Sequence, residues 1–182
     1  MTKSSARLMV AIGAIGLLSL LTFAGVAVTQ GPFGTVANPI LATCAPTQPS
    51  GTVVHVTLGD GGSSMMGGGT LMMAYLNASP GIVPTGDVTF VATNVGALTH
   101  EFLVLPAPRD GVGTRAVRSD GKINESTSLG EASTSCGRGP GGGISPGATS
   151  WVTLHLAPGH YELLCDEPWH YANGMFQGFT VQ

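Results

Sequence analysis

Charged residues are scarce in this chain of 182 residues, at 9% of the total, whereas glycine occurs 28 times. This composition disfavours long surface helices, because such helices carry a charged or polar face. The apolar runs are short, and Gly, Pro, Asn and Asp interrupt them. That pattern favours an all-β protein, and the length is sufficient for one domain with a hydrophobic core.

Basic residues are also too few and too confined to form a nucleic-acid surface. Lys3 and Arg7 lie at the N-terminus, and the other five Lys and Arg fall between residues 109 and 138. All ten acidic residues follow the N-terminal apolar run, so residues 31–182 carry five basic against ten acidic side chains. Binding to phosphate backbones needs clustered cations, and we therefore expect no nucleic-acid partner.

The long apolar run lies at the N-terminus. Residues 8–29, LMVAIGAIGLLSLLTFAGVAVT, carry no charge and follow Lys3 and Arg7. A run of about 20 apolar residues can cross a bilayer, whereas the core of a signal peptide has about 7–15 and ends at a small-residue cleavage site. We predict that residues 1–30 form an uncleaved transmembrane signal-anchor; a cleaved signal peptide and a lipoprotein with its lipid at LATC (41–44) are alternatives. Each places the rest of the chain outside the cytoplasm, in the periplasm or on the outer face of the cell membrane.

The remainder divides into a spacer and a β domain. Residues 31–50 are rich in Pro, Thr and Gly and predict a spacer, and residues 51–182 predict the domain. Within it, residues 59–69 are expected to be flexible and residues 106–147 to form a long, irregular Gly-rich insert. Alternating apolar residues, typical of a sandwich with one buried face per sheet, predict strands at 52–58, 69–76, 87–94, 99–105, 149–156, 160–165 and 175–182.

Cysteine occurs only three times. Cys165 ends a predicted strand, Cys44 lies in the spacer and Cys136 in the insert. In an oxidising compartment, two cysteines that are not needed elsewhere can pair. We therefore predict a Cys44–Cys136 disulfide that ties down the insert.

The segment CDEPWHYANGM, residues 165–175, places Cys165, His170 and Met175 at equal intervals. Thiolate and thioether sulfur favour Cu(I), and imidazole suits Cu(II). A trigonal His₂Cys set with a weak axial Met is the ligand set of a blue-copper electron-transfer site. Three of these four ligands are present in one short segment, so a second imidazole must come from elsewhere.

His100 is the best candidate for that second imidazole, because it follows the turn NVGALT and begins a predicted strand at one end of the sandwich. His155 is in phase with exposed strand positions, and His160 follows a Pro-Gly turn at the far end of the hairpin from Cys165. His55 lies on an early strand without a ligand-like neighbour.

Two segments resemble the cupredoxins, the family of type 1 blue copper proteins. APGHYELLCDEPWHYANGMFQGFTV resembles their C-terminal copper loop, and TGDVTFVATNVGALTHEFLVL resembles the segment that carries their first histidine ligand. The Cys-x₄-His-x₄-Met spacing is most similar to the plastocyanin, rusticyanin, auracyanin and sulfocyanin-like group. The resemblance implies a Greek-key β-sandwich that holds one type 1 copper per chain.

By position, the resemblance implies His100, Cys165 and His170 as strong equatorial ligands and Met175 as a weak axial one. It also implies that the protein is an electron carrier rather than an enzyme. As a carrier it would serve redox protein partners, which include membrane respiratory complexes. His170 would transfer the electron and Trp169 would belong to the docking patch, although Trp169 stands where many relatives have glycine. Nothing in the sequence requires an oligomer, and we expect a monomer.

A copper storage or delivery protein is the alternative function. Paired methionines flank a Gly-rich segment and could hold a second ion as Cu(I), although flexible core filling by methionine explains them too and is favoured. A copper oxidase or a nitrite-reductase-like enzyme would need further histidines, and a Cys–His hydrolase would need an activated thiolate; the chain has neither pattern. The four methionines are Met65, Met66, Met72 and Met73.

Around the predicted ligands we expect Glu101, Asp166 and Glu167 to face outward, because carboxylates facing the copper would favour Cu(II) and lower its potential. The apolar shell that excludes water is expected to come from Phe102, Trp169, Tyr171 and Phe176.

Overall fold

A computed structural model of the chain describes Pro46, residues 49–64 and residues 70–182, with the side chains of 62–72 excepted. These residues belong to one compact unit, Ala37–Gln182. Within the described part, no helix has the length and apolar character needed to cross a membrane. Outside it lie the predicted anchor at 1–30, Cys44, Met65 and Met66, as well as the side chain of Met72.

Two five-stranded sheets build the described part, with strand orders β2-β1-β4-β8-β7 in sheet A and β3-β10-β9-β5-β6 in sheet B. The prediction of an all-β protein is confirmed. The strands are β1 (Thr52–Ser64), β2 (Thr70–Ser79), β3 (Ile82–Val83), β4 (Gly86–Asn94), β5 (Phe102–Pro106), β6 (Gly130–Ala132), β7 (Gly137–Arg138), β8 (Thr149–Leu156), β9 (Gly159–Leu164) and β10 (Phe176–Val181).

The core lies between the sheets and is centred on three phenylalanines. Phe90 of β4 faces inward, and its ring centroid lies 5.3 Å from that of Phe102 on β5 and 5.2 Å from that of Phe179 on β10. All three are almost fully buried. Tilted and edge-on aromatic pairs at these distances are favourable beyond their buried area, so this cluster joins the two sheets.

Strands β1 and β2 extend further than the sequence pattern predicts. Residues 59–64 were expected to be flexible, yet they continue β1 and pair antiparallel with β2, with Asp60 opposite Ala74. The backbone ladder supplies its hydrogen bonds whatever the side chains are, and it outweighs the low strand propensity of the glycines here. β1 also pairs parallel with β4, with Leu58 opposite Asn94.

The long insert is built into the fold. β6 extends sheet B beside β5, and Ile123 packs with Leu103, Leu105 and Leu164 on the outer face of that sheet. As a result β5 and β9 are buried on both faces. The prediction of one buried face per sheet is therefore wrong for these two strands, because the insert acts as a third layer over them.

The cysteines fall into two chemical states. Cys136 is disulfide-bonded, and Cys165 is a free, buried thiol. Since Cys44 lies outside the described residues, its pairing with Cys136 stays a prediction.

Candidate metal centre

The structure brings His100, Cys165 and His170 together at one end of the sandwich. The two Nδ1 atoms of the histidines lie 3.2 Å apart. Sγ of Cys165 lies 3.4 Å from Nδ1 of His170 and 3.9 Å from Nδ1 of His100. Within the described residues, this is the one group of three or more His, Cys, Asp or Glu whose ligand atoms lie close enough to share a metal ion.

Two backbone segments position the three side chains. His100 precedes β5 and is fixed by paired hydrogen bonds with Ile144, from His100 N–H to Ile144 O (3.2 Å) and from Ile144 N–H to His100 O (2.7 Å). Cys165 follows β9, and its N–H donates to the carbonyl of Met175 over 3.1 Å. This bond closes the loop 165–175 between two paired strands, so its ligands are held at the sheet end.

Met175 lies at the foot of the same loop. Its N–H donates to the carbonyl of His170 over 3.1 Å, and its side chain is fully buried in the same core cluster as Cys165. The thioether is thus enclosed in the core and away from water.

Burial sets the protonation of these groups. It lowers the pKa of His100, despite the hydrogen bond to Asp60, and it lowers the pKa of His170 as well. Burial raises the pKa of the Cys165 thiol to about 12, although the N–H of Glu101 donates to Sγ over 3.3 Å. The imidazoles are therefore neutral near pH 7 and ready to bind a metal, whereas the thiol ionises only when a cation replaces its proton.

The donor set fits copper. Structural zinc sites use four strong ligands in a tetrahedron, drawn from Cys, His, Asp and Glu, but here three strong donors stand together and the fourth is a thioether. One thiolate, two imidazoles and an enclosed methionine sulfur, in contrast, match the blue-copper set. The site formed by His100, Cys165 and His170 therefore fits a type 1 copper site.

The carboxylates near the site differ from expectation. Asp166 is fully buried rather than outward-facing, and its Oδ1 accepts the N–H of Ile123 over 2.7 Å. Burial and the neighbouring Glu125 carboxylate raise the pKa of Asp166 to about 7. Glu101 is partly buried, with Oε2 3.5 Å from Nζ of Lys122. Both differences arise because the insert covers this part of sheet B.

The aromatic shell is also only partly as expected. Phe102 and Tyr171 are buried and Phe176 is partly buried, but Trp169 is 53% exposed. The backbone N–H of Trp169 donates to the carbonyl of Gly121 over 2.8 Å, so the insert holds Trp169 at the surface.

The other described histidines do not belong to this group of ligand atoms, and His55 is exposed on β1. His155 is exposed on β8 beside Asp87, at 2.8 Å, and His160 is exposed on β9, as predicted. Met73 is 62% exposed. The predicted secondary Cu(I) site of Met65, Met66, Met72 and Met73 involves residues outside the described ones and stays a prediction.

One carboxylate was missed altogether. Asp60 lies 3.1 Å from Nε2 of His100, through its Oδ1. The alternation of Val54, Val56 and Leu58, all core-facing, continues to Asp60 and could have revealed it, had residues 59–64 been recognised as strand.

Comparison with known proteins finds similarity among solved structures alone. No family profile and no curated protein matches the sequence. A reduced auracyanin from Roseiflexus castenholzii is 20% identical, with a TM-score of 0.48 and coverage of 74% of this chain and 99% of that one. Auracyanin A from Chloroflexus aurantiacus, described as a "blue" copper protein, is 17% identical, with a TM-score of 0.45 and coverage of 71% and 99%. Rusticyanin from Thiobacillus ferrooxidans is 23% identical, with a TM-score of 0.40 and coverage of 73% and 79%.

Proposed function

We propose that this protein is an extracytoplasmic type 1 copper protein with a cupredoxin-like Greek-key sandwich, which passes single electrons between redox protein partners. The observation that carries the proposal is the convergence of His100, Cys165 and His170, whose ligand atoms lie 3.2–3.9 Å apart. These residues would hold one copper ion, with Met175 as its weak axial ligand. Bound copper supplies a one-electron couple.

The protein's own contribution is to keep these ligands rigid and to limit their contact with water. Cys165 and Met175 are fully buried, and the hydrogen bond between their backbones closes the loop. A preset ligand cage needs little rearrangement when the charge of the ion changes. Because such a cage suits the transfer of single electrons, we infer a carrier rather than an enzyme.

His170 is the proposed point of electron transfer, because it is partly exposed whereas His100 is fully buried. Trp169 beside it is 53% exposed, and Val95 and Leu98, in the turn before His100, are 57% and 38% exposed. These apolar side chains belong to the two loops that carry the ligands. They suit a docking surface for a redox protein, which would bind through brief apolar contact.

The proposed location rests on the sequence and on one structural observation. The basic start and the apolar run of residues 8–29 support export and attachment to the membrane. The disulfide at Cys136 supports an oxidising compartment. We infer a monomer at the outer face of the membrane, within reach of respiratory complexes there.

The test is spectroscopic. The full chain in detergent is given one equivalent of Cu(II), and visible and electron-paramagnetic-resonance spectra are recorded. We expect an intense thiolate-to-copper band and a small hyperfine splitting, both lost in Cys165→Ser. Replacing the exposed His160 by Ala should leave the colour unchanged, whereas His170→Ala should abolish it. A blue Cys165→Ser protein would overturn the assignment.

Copper storage or delivery is the second candidate, and the exposure of Met73 favours it. It requires more than one copper per chain and fast exchange of Cu(I). A stoichiometry of one copper that stays the same after replacement of Met65, Met66, Met72 and Met73 would exclude it.

A further inference from the structure

A carboxylate from the first strand contacts the proposed ligand His100 on the side away from the other ligands. Nδ1 of His100 faces His170 and Cys165, whereas Nε2 lies 3.1 Å from Oδ1 of Asp60. The two ring nitrogens thus have separate partners. Asp60 reaches this position because it has the same alternation as the core-facing residues of β1 and lies just beyond the core.

The protonation of this pair follows from the other contacts of Asp60. Its carboxylate accepts the backbone N–H of Ala97, at 2.9 and 3.1 Å, and of Leu98, at 2.9 Å. Both carboxylate oxygens therefore accept backbone N–H groups, which can only donate, so neither oxygen is placed to donate a hydrogen to His100. An ionised carboxylate only accepts hydrogen bonds. Nε2 of His100 therefore carries the hydrogen, and the lone pair of Nδ1 faces Cys165 and His170.

The surroundings are shaped to hold the carboxylate. Its side chain is only 7% exposed. A Cβ at Gly96 would lie 2.0 Å from Oδ1 of Asp60, so the turn leaves room for the carboxylate only because residue 96 is glycine. Asn94 fixes the same turn, since it accepts the N–H of Gly96 over 2.9 Å and donates to the carbonyl of Leu98 over 2.7 Å.

We infer that Asp60 is a positioning residue of the metal centre, which fixes the tautomer and the orientation of His100 and favours Cu(II) over Cu(I). This inference rests on the proposed function. A carboxylate behind a ligating imidazole orients the ring and increases its basicity. The negative charge of Asp60 attracts Cu(II) more strongly than Cu(I), because Cu(II) carries the higher charge. Shielding of the carboxylate from water strengthens this preference.

A matched pair of variants separates this role from a general effect of charge. Asp60→Asn keeps an oxygen that can accept the hydrogen bonds of the turn and of His100, but removes the charge. Asp87→Asn makes the same change beside His155, at 2.8 Å, where both side chains are exposed. The measurements are the dissociation constants for Cu(II) and Cu(I), by competition, and the reduction potential, by voltammetry, on the full chain in detergent.

For Asp60→Asn we expect the Cu(II) dissociation constant to rise about tenfold and that for Cu(I) to change little. A tenfold rise in the ratio of the Cu(II) dissociation constant to the Cu(I) dissociation constant raises a one-electron potential by about 59 mV. Asp87→Asn should leave both constants and the potential unchanged. A blue Asp60→Asn protein with the same potential as Asp87→Asn would overturn the inference and leave the proposed function intact.

The tautomer is tested without copper, so the inference can be judged even if the proposed function fails. In the metal-free wild-type protein, ¹⁵N chemical shifts should show the hydrogen of His100 on Nε2. Asp60→Ala, which removes the acceptor, should give a mixture of tautomers. A hydrogen on Nδ1 in the wild-type protein would refute the positioning role, whether or not the protein turns blue with copper.

Discussion

The phenol of Tyr171 donates a hydrogen bond of 3.1 Å to Oε1 of Glu162. Tyr171 directly follows the proposed ligand His170, whereas Glu162 is fully buried on β9. The same phenol oxygen accepts the N–H of Arg115, in the insert, over 3.0 Å. One hydroxyl therefore joins the ligand loop, the sheet and the insert, and burial raises the pKa of Tyr171 to about 12, so it remains a donor at neutral pH.

Removing this hydroxyl by Tyr171→Phe should lower the free energy of unfolding by about 1–3 kcal/mol, because the N–H of Arg115 then loses its partner. Denaturant titration of the metal-free protein measures the change. Tyr75→Phe is the control, since Tyr75 is 46% exposed on β2, and it should have little effect. Equal effects of the two substitutions would show that the contact with Glu162 and Arg115 is energetically unimportant.

The ion pair between Arg115 and Glu162 should contribute more to the free energy of unfolding than the hydroxyl of Tyr171 does. Arg115→Ala leaves the fully buried Glu162 without its cation, and removing one partner of a buried pair typically costs about 3–5 kcal/mol. We also expect faster proteolysis within the insert, which Arg115 and Gly113 tie to Glu162. Arg118→Ala breaks an exposed pair with Asp120 and should change neither measurement; a similar loss in both variants would contradict this account.

Gly121 should tolerate a methyl group less well than Gly111. Both have positive φ, at +83° and +103°, so alanine is strained at either position. A Cβ at Gly121 would also lie 2.8 Å from the backbone N of Trp169 and 2.9 Å from its ring, whereas a Cβ at Gly111 would have no atom within 4 Å. Gly121→Ala should therefore cost about 1–3 kcal/mol more than Gly111→Ala and shift the tryptophan fluorescence. Equal stabilities and unchanged emission would show that Trp169 moves freely.

The metal-free protein should lose stability at alkaline pH because of Cys165. Burial raises the pKa of this thiol from 9.0 to about 12, so above pH 9 the unfolded state releases a proton that the folded state keeps. The free energy of unfolding should then fall with pH, with a contribution from this thiol that approaches about 1.4 kcal/mol per pH unit between pH 9 and 12. Denaturant titrations of wild type and Cys165→Ala measure the difference. Parallel pH profiles for the two proteins would refute the raised pKa.

Copper binding near pH 7 should, for the same reason, release about one proton per ion, which a pH indicator can follow. The two histidines should add little, since burial lowers the pKa of both His100 and His170. Release of two or more protons would mean that these imidazoles are protonated in the metal-free protein.

The sequence predicted those features that depend on local pattern. The alternation in β4 and β8 located both strands, and the spacing of Cys165, His170 and Met175 indicated a loop between two strands. His100 was identified because a turn and a strand start coincide there. In each case the deciding information lies within about ten residues of the chain.

The features that were missed depend on contacts between distant segments. Asp166 was expected at the surface, but Ile123, 43 residues earlier, covers it and donates to it. Asp60 contacts His100 across 40 residues. Glycine and charge in the insert suggested a solvated loop, because the sequence does not reveal that Glu162, on a strand, faces the insert and pairs with Arg115.

The position of Asp60 on β1 makes copper binding depend on the register in which that strand pairs. Asp60 is flanked by Gly59, Gly61 and Gly62, so a strand shifted by one residue would present a residue without a side chain to His100. Molecules with a misaligned first strand would therefore hold Cu(II) less tightly than correct ones. Loading with copper would then select, by mass action, the molecules in which β1 and the loop 165–175, far apart in the sequence, have assembled correctly.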